Sequence, residues 1–159
     1  MIDVVQAREP LTAAIRRGPS VFLAGPTAEA GSPVASWRPP AIRLLAQGWA
    51  NRAALTVLTP ENPVRADRYG DQFTWENDAR AIATMRLYWI FRDMQHLPGM
   101  TTNIELGFDL AAGRALVLGC PLDCPDPRRN RYAIALARAC GRPVRTTLPS
   151  TVATAIEYV

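Results

Sequence analysis

Leu87-Tyr88-Trp89-Ile90-Phe91, then Arg92-Asp93, then Pro98-Gly99-Met100-Thr101-Thr102-Asn103-Ile104-Glu105-Leu106-Gly107: this stretch decides the fold. The first run is continuously apolar and reads as a buried strand, and the run from Thr101 to Ala112 reads as a helix. Strand, glycine-containing loop and helix form the repeating unit of a parallel sheet. Such a loop delivers side chains and helix-N-terminal amides to one crevice. Glu105, in the first turns of that helix, is the candidate reactive group.

Similar units lie on both sides. Upstream, Ser20 to Ala24 is a short apolar strand stopped by Gly25-Pro26-Thr27, and the small Gly/Ser-rich loop from Ala28 to Val34 follows. Ser36 reads as an N-cap for a helix running through Pro39-Pro40 to Gln47. Ala54 to Thr59 is the next strand. A long polar loop from Pro60 to about Phe73 has the length of a functional lid, and a helix is expected from Thr74 to about Met85. Downstream, Arg114 to Gly119 reads as a strand and Asn130 to Ala139 as a helix. Val144 to Thr147 reads as a last edge strand, and Ser150 as the cap of a final helix to Tyr158. Ile2 to Gln6 reads either as a short edge strand or as a frayed start, and Leu11 to Arg17 as weakly helical. Strands alternating with helices predict a three-layer α/β fold with a parallel sheet, in one domain spanning 1–159.

Composition narrows the function. At 159 residues the chain can bury a sizeable core, and 48% apolar with 20% charged residues is ordinary for a globular protein. No apolar run approaches the ~20 residues of a membrane span, and no basic segment followed by an apolar one opens the chain. The expected address is therefore the cytoplasm. All 18 basic residues are arginine, which removes lysine Schiff-base chemistry and a P-loop lysine. A net charge of +4 suits anionic ligands. The arginines are scattered apart from Arg128-Arg129-Asn130-Arg131, so nucleic acid is not the expected partner. Cys120 and Cys124 with the single His96 do not make a zinc set, so neither metal nor cofactor is expected. His96 reads as a loop residue, since no nucleophile elbow accompanies it.

The 14 acids carry the chemical signal. Glu76, Asp78, Asp93 and Glu105 fall in or beside strand-end loops and helix starts, the carboxyl edge where α/β sheets bind ligands. Convergent carboxylates suit an oxocarbenium-like transition state, one attacking or shielding the sugar carbon while another group manages protons. The structural alternative is that Glu105 complements a helix N-terminus and Asp93 pairs with Arg92. Thr101, Thr102 and Asn103 offer more polar groups than capping requires. Gly25-Pro26-Thr27 has the look of a turn that cradles a phosphate or base. Among Trp37, Trp75, Tyr88 and Trp89, the residue best placed to stack on a base is Trp75.

In this order, Phe22-Leu23-Ala24-Gly25-Pro26-Thr27, Ser36-Trp37-Arg38-Pro39, Thr74-Trp75-Glu76, Trp89-Ile90-Phe91-Arg92-Asp93 and Thr101-Thr102-Asn103-Ile104-Glu105-Leu106-Gly107 resemble the nucleoside 2-deoxyribosyltransferase-like family, in its small bacterial and phage branch. The resemblance covers roughly Ser20 to Ala139, and Thr-Thr-Asn-Ile-Glu-Leu-Gly is its most specific part. It implies a flavodoxin-like parallel sheet of five strands and cleavage of the N-glycosidic bond of a nucleoside or nucleotide. It implies that Glu105 attacks the anomeric carbon to form a glycosyl-enzyme ester, which a second base or water then resolves. Glu76 or Asp78 helps the base leave. The ligand contacts that go with it are Gly25, Pro26, Thr27, Trp37, Arg38, Trp75, Asp93, Thr101, Thr102 and Asn103. Asn130 and Tyr132 match a segment that a neighbouring subunit lends to the site in a homo-oligomer. Gly99 stands where many members carry an Asp or Ser for the sugar 5′ side. The expected electrostatics are an ionised Glu105 supported by helix-start amides and a base-side acid of raised pKa beside Trp75. Two other readings remain: a nucleotide-binding regulatory module without turnover, and a factor that degrades NAD or nucleotides.

Overall fold

The computed structural model describes residues 1–29, 31–50, 52–64 and 68–159. Arg65 and Asp67 of the expected lid loop, and Ala30 of the Gly/Ser-rich loop, lie outside the described residues.

The elements follow the order β1 (Ile2–Gln6), α1 (Ala13–Arg17), β2 (Ser20–Ala24), α2 (Arg38–Gly48), β3 (Leu55–Thr59), α3 (Tyr69–Ile82), β4 (Met85–Trp89), α4 (Met100–Ala111), β5 (Leu116–Gly119), a 3-10 turn (Pro127–Asn130), α5 (Arg131–Ala139), β6 (Val144–Arg145) and α6 (Leu148–Tyr158). The strands form one sheet in the order β1-β3-β2-β4-β5-β6, with every pairing parallel. Without β1 the order is that of a flavodoxin-like sheet. The sheet thus has six strands rather than the expected five. Ile2–Gln6 is not a frayed start: it pairs along its whole length with β3, Ile2 against Leu55 through Gln6 against Thr59.

Period-2 alternation splits the core between two faces. Val21 and Leu23 of β2 pack with Val57, Leu87 and Val117 under α2 and α6. Phe22 and Ala24 point the other way, to Trp75 and Ala79 of α3, Leu106 and Leu110 of α4, and Ala133 and Ala137 of α5. Among the described residues, no helix is long and apolar enough to cross a membrane.

The main departures from the sequence reading have local reasons. β4 runs Met85–Trp89, two residues ahead of the apolar run, because it accommodates Arg86. That buried guanidinium donates to the carbonyls of Arg80 (2.7 Å) and Ala81 (2.9 Å) at the end of α3. α3 begins at Tyr69 instead of Thr74, which shortens the expected lid loop. α6 is capped by Thr147, whose hydroxyl accepts from the Ser150 amide at 3.3 Å, so Ser150 receives the cap rather than supplying it. The N-cap of α2 is Trp37, with no side-chain cap hydrogen bond; Ser36, expected to be the cap, lies one residue earlier and accepts from the Arg38 amide at 3.2 Å.

Candidate active site

β2 has β3 on one side and β4 on the other, so the chain leaves it in opposite directions and a crevice opens at its carboxyl end. A cleft of about 410 Å³ lies there. It is formed by Gly25, Pro26 and Thr27 after β2, Pro60 after β3, the loop and helix start from His96 to Thr102 after β4, and the side chains of Tyr69, Glu76 and Glu105.

Two glycines let the walls close up. Gly25 has φ +150, and a Cβ there would sit 2.3 Å from the Trp89 carbonyl oxygen. Gly99 has φ +61, and its Cβ would meet Pro26 Cγ at 2.6 Å. Neither position has room for a side chain.

Arg38 holds the β2 loop from behind. It is 1% exposed. Its nitrogens donate to the carbonyls of Leu23 (3.1 Å) and Gly25 (2.7 Å), to Thr27 Oγ1 (3.0 Å) and to Glu61 Oε1 (2.9 Å). Trp37 packs against Gly25 and donates to the Pro26 carbonyl at 3.3 Å. Both are supports of the turn and do not line the cleft. Arg92 does the same for the opposite wall. Its guanidinium donates to Asn130 Oδ1 (2.9 Å), Asn103 Oδ1 (2.7 Å) and the Pro98 carbonyl.

Glu105 comes from α4 and is mostly buried. Its Oε1 lies 2.9 Å from Arg80 Nη1 of α3. The side chain borders both the cleft and the adjoining groove between α3 and α4. Burial pushes the carboxyl up to about 7, against the pull of Arg80 and with a further push from Glu76 and Asp109. Helix-start amides do not offset this, because Glu105 is the sixth residue of α4, beyond the turn where those amides are free. Glu76 lines the same cleft and hydrogen-bonds to the Gln72 amide. Burial raises its pKa too, opposed by the Gln72 bond, Arg38 and Arg80.

The remaining expected site residues are distributed around this centre. Thr101 and Thr102 line the cleft. Asn103 turns away from it toward Arg92. Asp78 is exposed and lines an adjoining groove between α3 and α4, which shares Tyr69, Glu76, Thr101 and Glu105 with the cleft but does not bring Asp78 into it. Trp75 is buried against Phe22, with Nε1 donating to the Glu9 carbonyl at 2.8 Å, so it is a core residue and does not reach the cleft. Asp93 does not pair with Arg92. It accepts from the Gln95 and His96 amides at 2.9 and 3.0 Å and from the His96 ring at 3.0 Å, contacts that lower its pKa, the His96 amide foremost. Asn130 is 1% exposed and is bound within its own chain to Arg92 and, at 3.0 Å, to the Ile90 carbonyl. Tyr132, by contrast, projects into solvent.

Sequence reasoning did not find Arg80, Asp109, Tyr69 or the cleft position of His96. Spacing held a signal for the first two: Arg80 is four residues after Glu76, and Asp109 four after Glu105. Each pair lies on one helix face.

No protein-family model matches the chain, and no curated protein matches it.

Proposed function

We propose that the protein cleaves the N-glycosidic bond of a nucleoside or nucleotide, as a glycoside hydrolase or a deoxyribosyltransferase. The observation that carries this reading is the pairing of Glu105 and Glu76 in one cleft at the sheet's switch point, with Glu105 Oε1 2.9 Å from Arg80 Nη1.

Ionised Glu105 attacks C1′ through its carboxylate, and the C1′–N bond breaks with its electrons going to the base. Glu76 is the acid that protonates the departing base, since it borders the cleft and Asp78 does not. Burial raises both carboxyls, Glu105 to about 7, so the attacking form of Glu105 grows in as pH rises through that value, and Glu76 takes the acid's role by its place in the cleft. Water or a second base then attacks C1′ of the ester and releases the Glu105 carboxylate. Free thiols at Cys120, Cys124 and Cys140 accord with a reducing, cytoplasmic setting.

A homodimer belongs to the same proposal. Tyr69 and Phe73 of α3 and Met100, Ile104 and Phe108 of α4 are each 58–79% exposed; Met100 lines the cleft and the other four line the adjoining groove together with Glu105. Exposed apolar side chains gathered beside the cleft suit a second copy of the chain that closes it.

A second reading concerns substrate size. The cleft continues, past the shared residues Thr27, Glu29, Pro60 and Tyr69, into an open groove of about 1110 Å³ over the ends of β1 and β3. That space favours a substrate larger than a nucleoside, of the dinucleotide kind.

A panel of nucleosides, 5′-monophosphates and NAD, followed by chromatography with and without an added free base, tests all of this. Base release from at least one compound, lost in Glu105→Gln, is expected. Binding without release from any compound would favour a regulatory module.

A further inference from the structure

Arg80 is 5% exposed, and its three nitrogens reach three different partners. Nη1 lies 2.9 Å from Glu105 Oε1, Nη2 donates to Asn77 Oδ1 at 2.9 Å, and Nε lies 3.4 Å from Asp109 Oδ1, an ionic contact without hydrogen-bond alignment. Asp109 is fully buried and fixed in its turn. It accepts from the Tyr88 hydroxyl at 2.7 Å and from Arg114 Nη1 at 2.6 Å. A chain of alternating charge therefore runs from the cleft through buried Arg80 and Asp109 to the partly exposed Arg114.

We propose that Arg80 is a positioning residue for Glu105, and that Asp109 is the anchor that holds Arg80 in place and shares its charge. The proposal rests on the reading of Glu105 as the nucleophile.

The physical argument concerns how much of the guanidinium Glu105 receives. With none, burial would leave the acid protonated and unable to attack. With all of it, a tight bidentate pair would occupy both oxygens. Here the ion pair is made by one oxygen, Oε1 at 2.9 Å from Nη1, and the residue borders the cleft. When Glu105 becomes a neutral ester, Arg80 keeps a buried counter-charge in Asp109, so the ester does not strand an unpaired cation. The charged and titratable groups that face Glu105 are Arg80 and Glu76 from α3, Asp109 from α4, Arg38 from α2 and Tyr88 from β4. Of these, Arg80 is the one in ion-pair contact with it among the described residues.

The test is a carbon-13 NMR titration of the glutamate side-chain carboxyls, with the Glu105 signal assigned by its loss in Glu105→Gln. It is run on wild type, Arg80→Gln, Arg80→Lys and Arg114→Gln, alongside kcat and KM against pH on a turned-over nucleoside. Arg80→Gln is expected to raise the Glu105 midpoint by about one pH unit or more. Arg80→Lys should fall between it and wild type. The acidic limb of kcat should move with the midpoint, while KM changes less than about twofold. Arg114→Gln alters a partly exposed residue and should raise the midpoint by a smaller amount, since Asp109 then draws Arg80 inward. An unchanged midpoint in Arg80→Gln overturns the proposal. If that variant does not fold, an unchanged midpoint in Arg114→Gln does so. A kcat limb that stays in place while the midpoint moves also overturns it. Shifted midpoints in a protein that turns over no nucleoside uphold the control of Glu105 by Arg80 and overturn the glycosidase reading instead.

Discussion

Asn130 Oδ1 accepts a hydrogen bond from Arg92 Nε at 2.9 Å, and through it the start of α5 supports the wall of the cleft formed by Pro98 and Gly99. The same arginine reaches Asn103 at 2.7 Å, so one buried cation ties the β4 loop, the start of α4 and the turn before α5. Asn130 works inside its own chain, where a role in a neighbour's site is what the resemblance implies.

Asn130→Ala should therefore destabilise the folded chain by about 2 kcal/mol, because it strands a buried guanidinium nitrogen and the Ile90 carbonyl. Tyr132→Ala, at a residue 79% exposed, should change monomer stability by less than about 0.5 kcal/mol. Urea unfolding of both variants checks this. Equal losses would mean that the two residues share a structural role.

Gly99→Ala should cost on the order of 1–3 kcal/mol, from the left-handed φ of +61 and the contact of 2.6 Å with Pro26 Cγ. Because Pro26 and Gly99 form facing walls of the cleft, the variant should also raise KM for any substrate bound there. Stability and steady-state kinetics measured together separate the two effects.

The Glu105 carboxyl is raised from 4.5 to about 7, so the unfolded chain loses this proton first as pH increases. Its contribution to stability is fully present below pH 4.5 and is lost as pH rises through about 7. At roughly 1.4 kcal/mol per pH unit, the loss is about 3 kcal/mol. Glu105→Gln removes that dependence. Unfolding free energies at several pH values from 4.5 to 8 should fall less steeply for the variant than for wild type. Parallel curves would contradict the burial argument.

Ile104→Asp together with Phe108→Asp places two charges on the exposed apolar face of α3 and α4. Light scattering on the eluting protein should show wild type as a dimer and the double variant as a monomer, with both folded by circular dichroism. A wild type that elutes as a monomer at high micromolar concentration would remove the second copy from the proposal.

The sheet was legible because its strands are apolar runs bounded by Gly, Pro or polar loops, and β2 and β3 come within a residue of where composition places them. β4 was displaced because Arg86 interrupts the apolar pattern while its charge is satisfied by two carbonyls that the sequence cannot show. β1 was ambiguous for a similar reason: an edge strand buries little, and its pairing with β3 is non-local. At the site, Glu105 stood out as the lone acid early in its helix. The division of the other residues into wall and support did not. Trp37 and Trp75 look alike as aromatic candidates, yet each turns its ring inward and its N–H to a backbone carbonyl. Which way a side chain points depends on packing across elements, and that information is absent from local spacing.

The most direct test of the central claim is to trap the ester. Protein mixed with a turned-over 2′-deoxynucleoside, quenched in acid within milliseconds to seconds and digested, should yield the peptide carrying Glu105 heavier by one dehydrated sugar and free of base. The adduct should be absent in Glu105→Gln. A wild-type protein that releases base with no such adduct at any time, or a Glu105→Gln variant that turns over at the wild-type rate, would contradict the assignment of Glu105 as the group that captures the sugar.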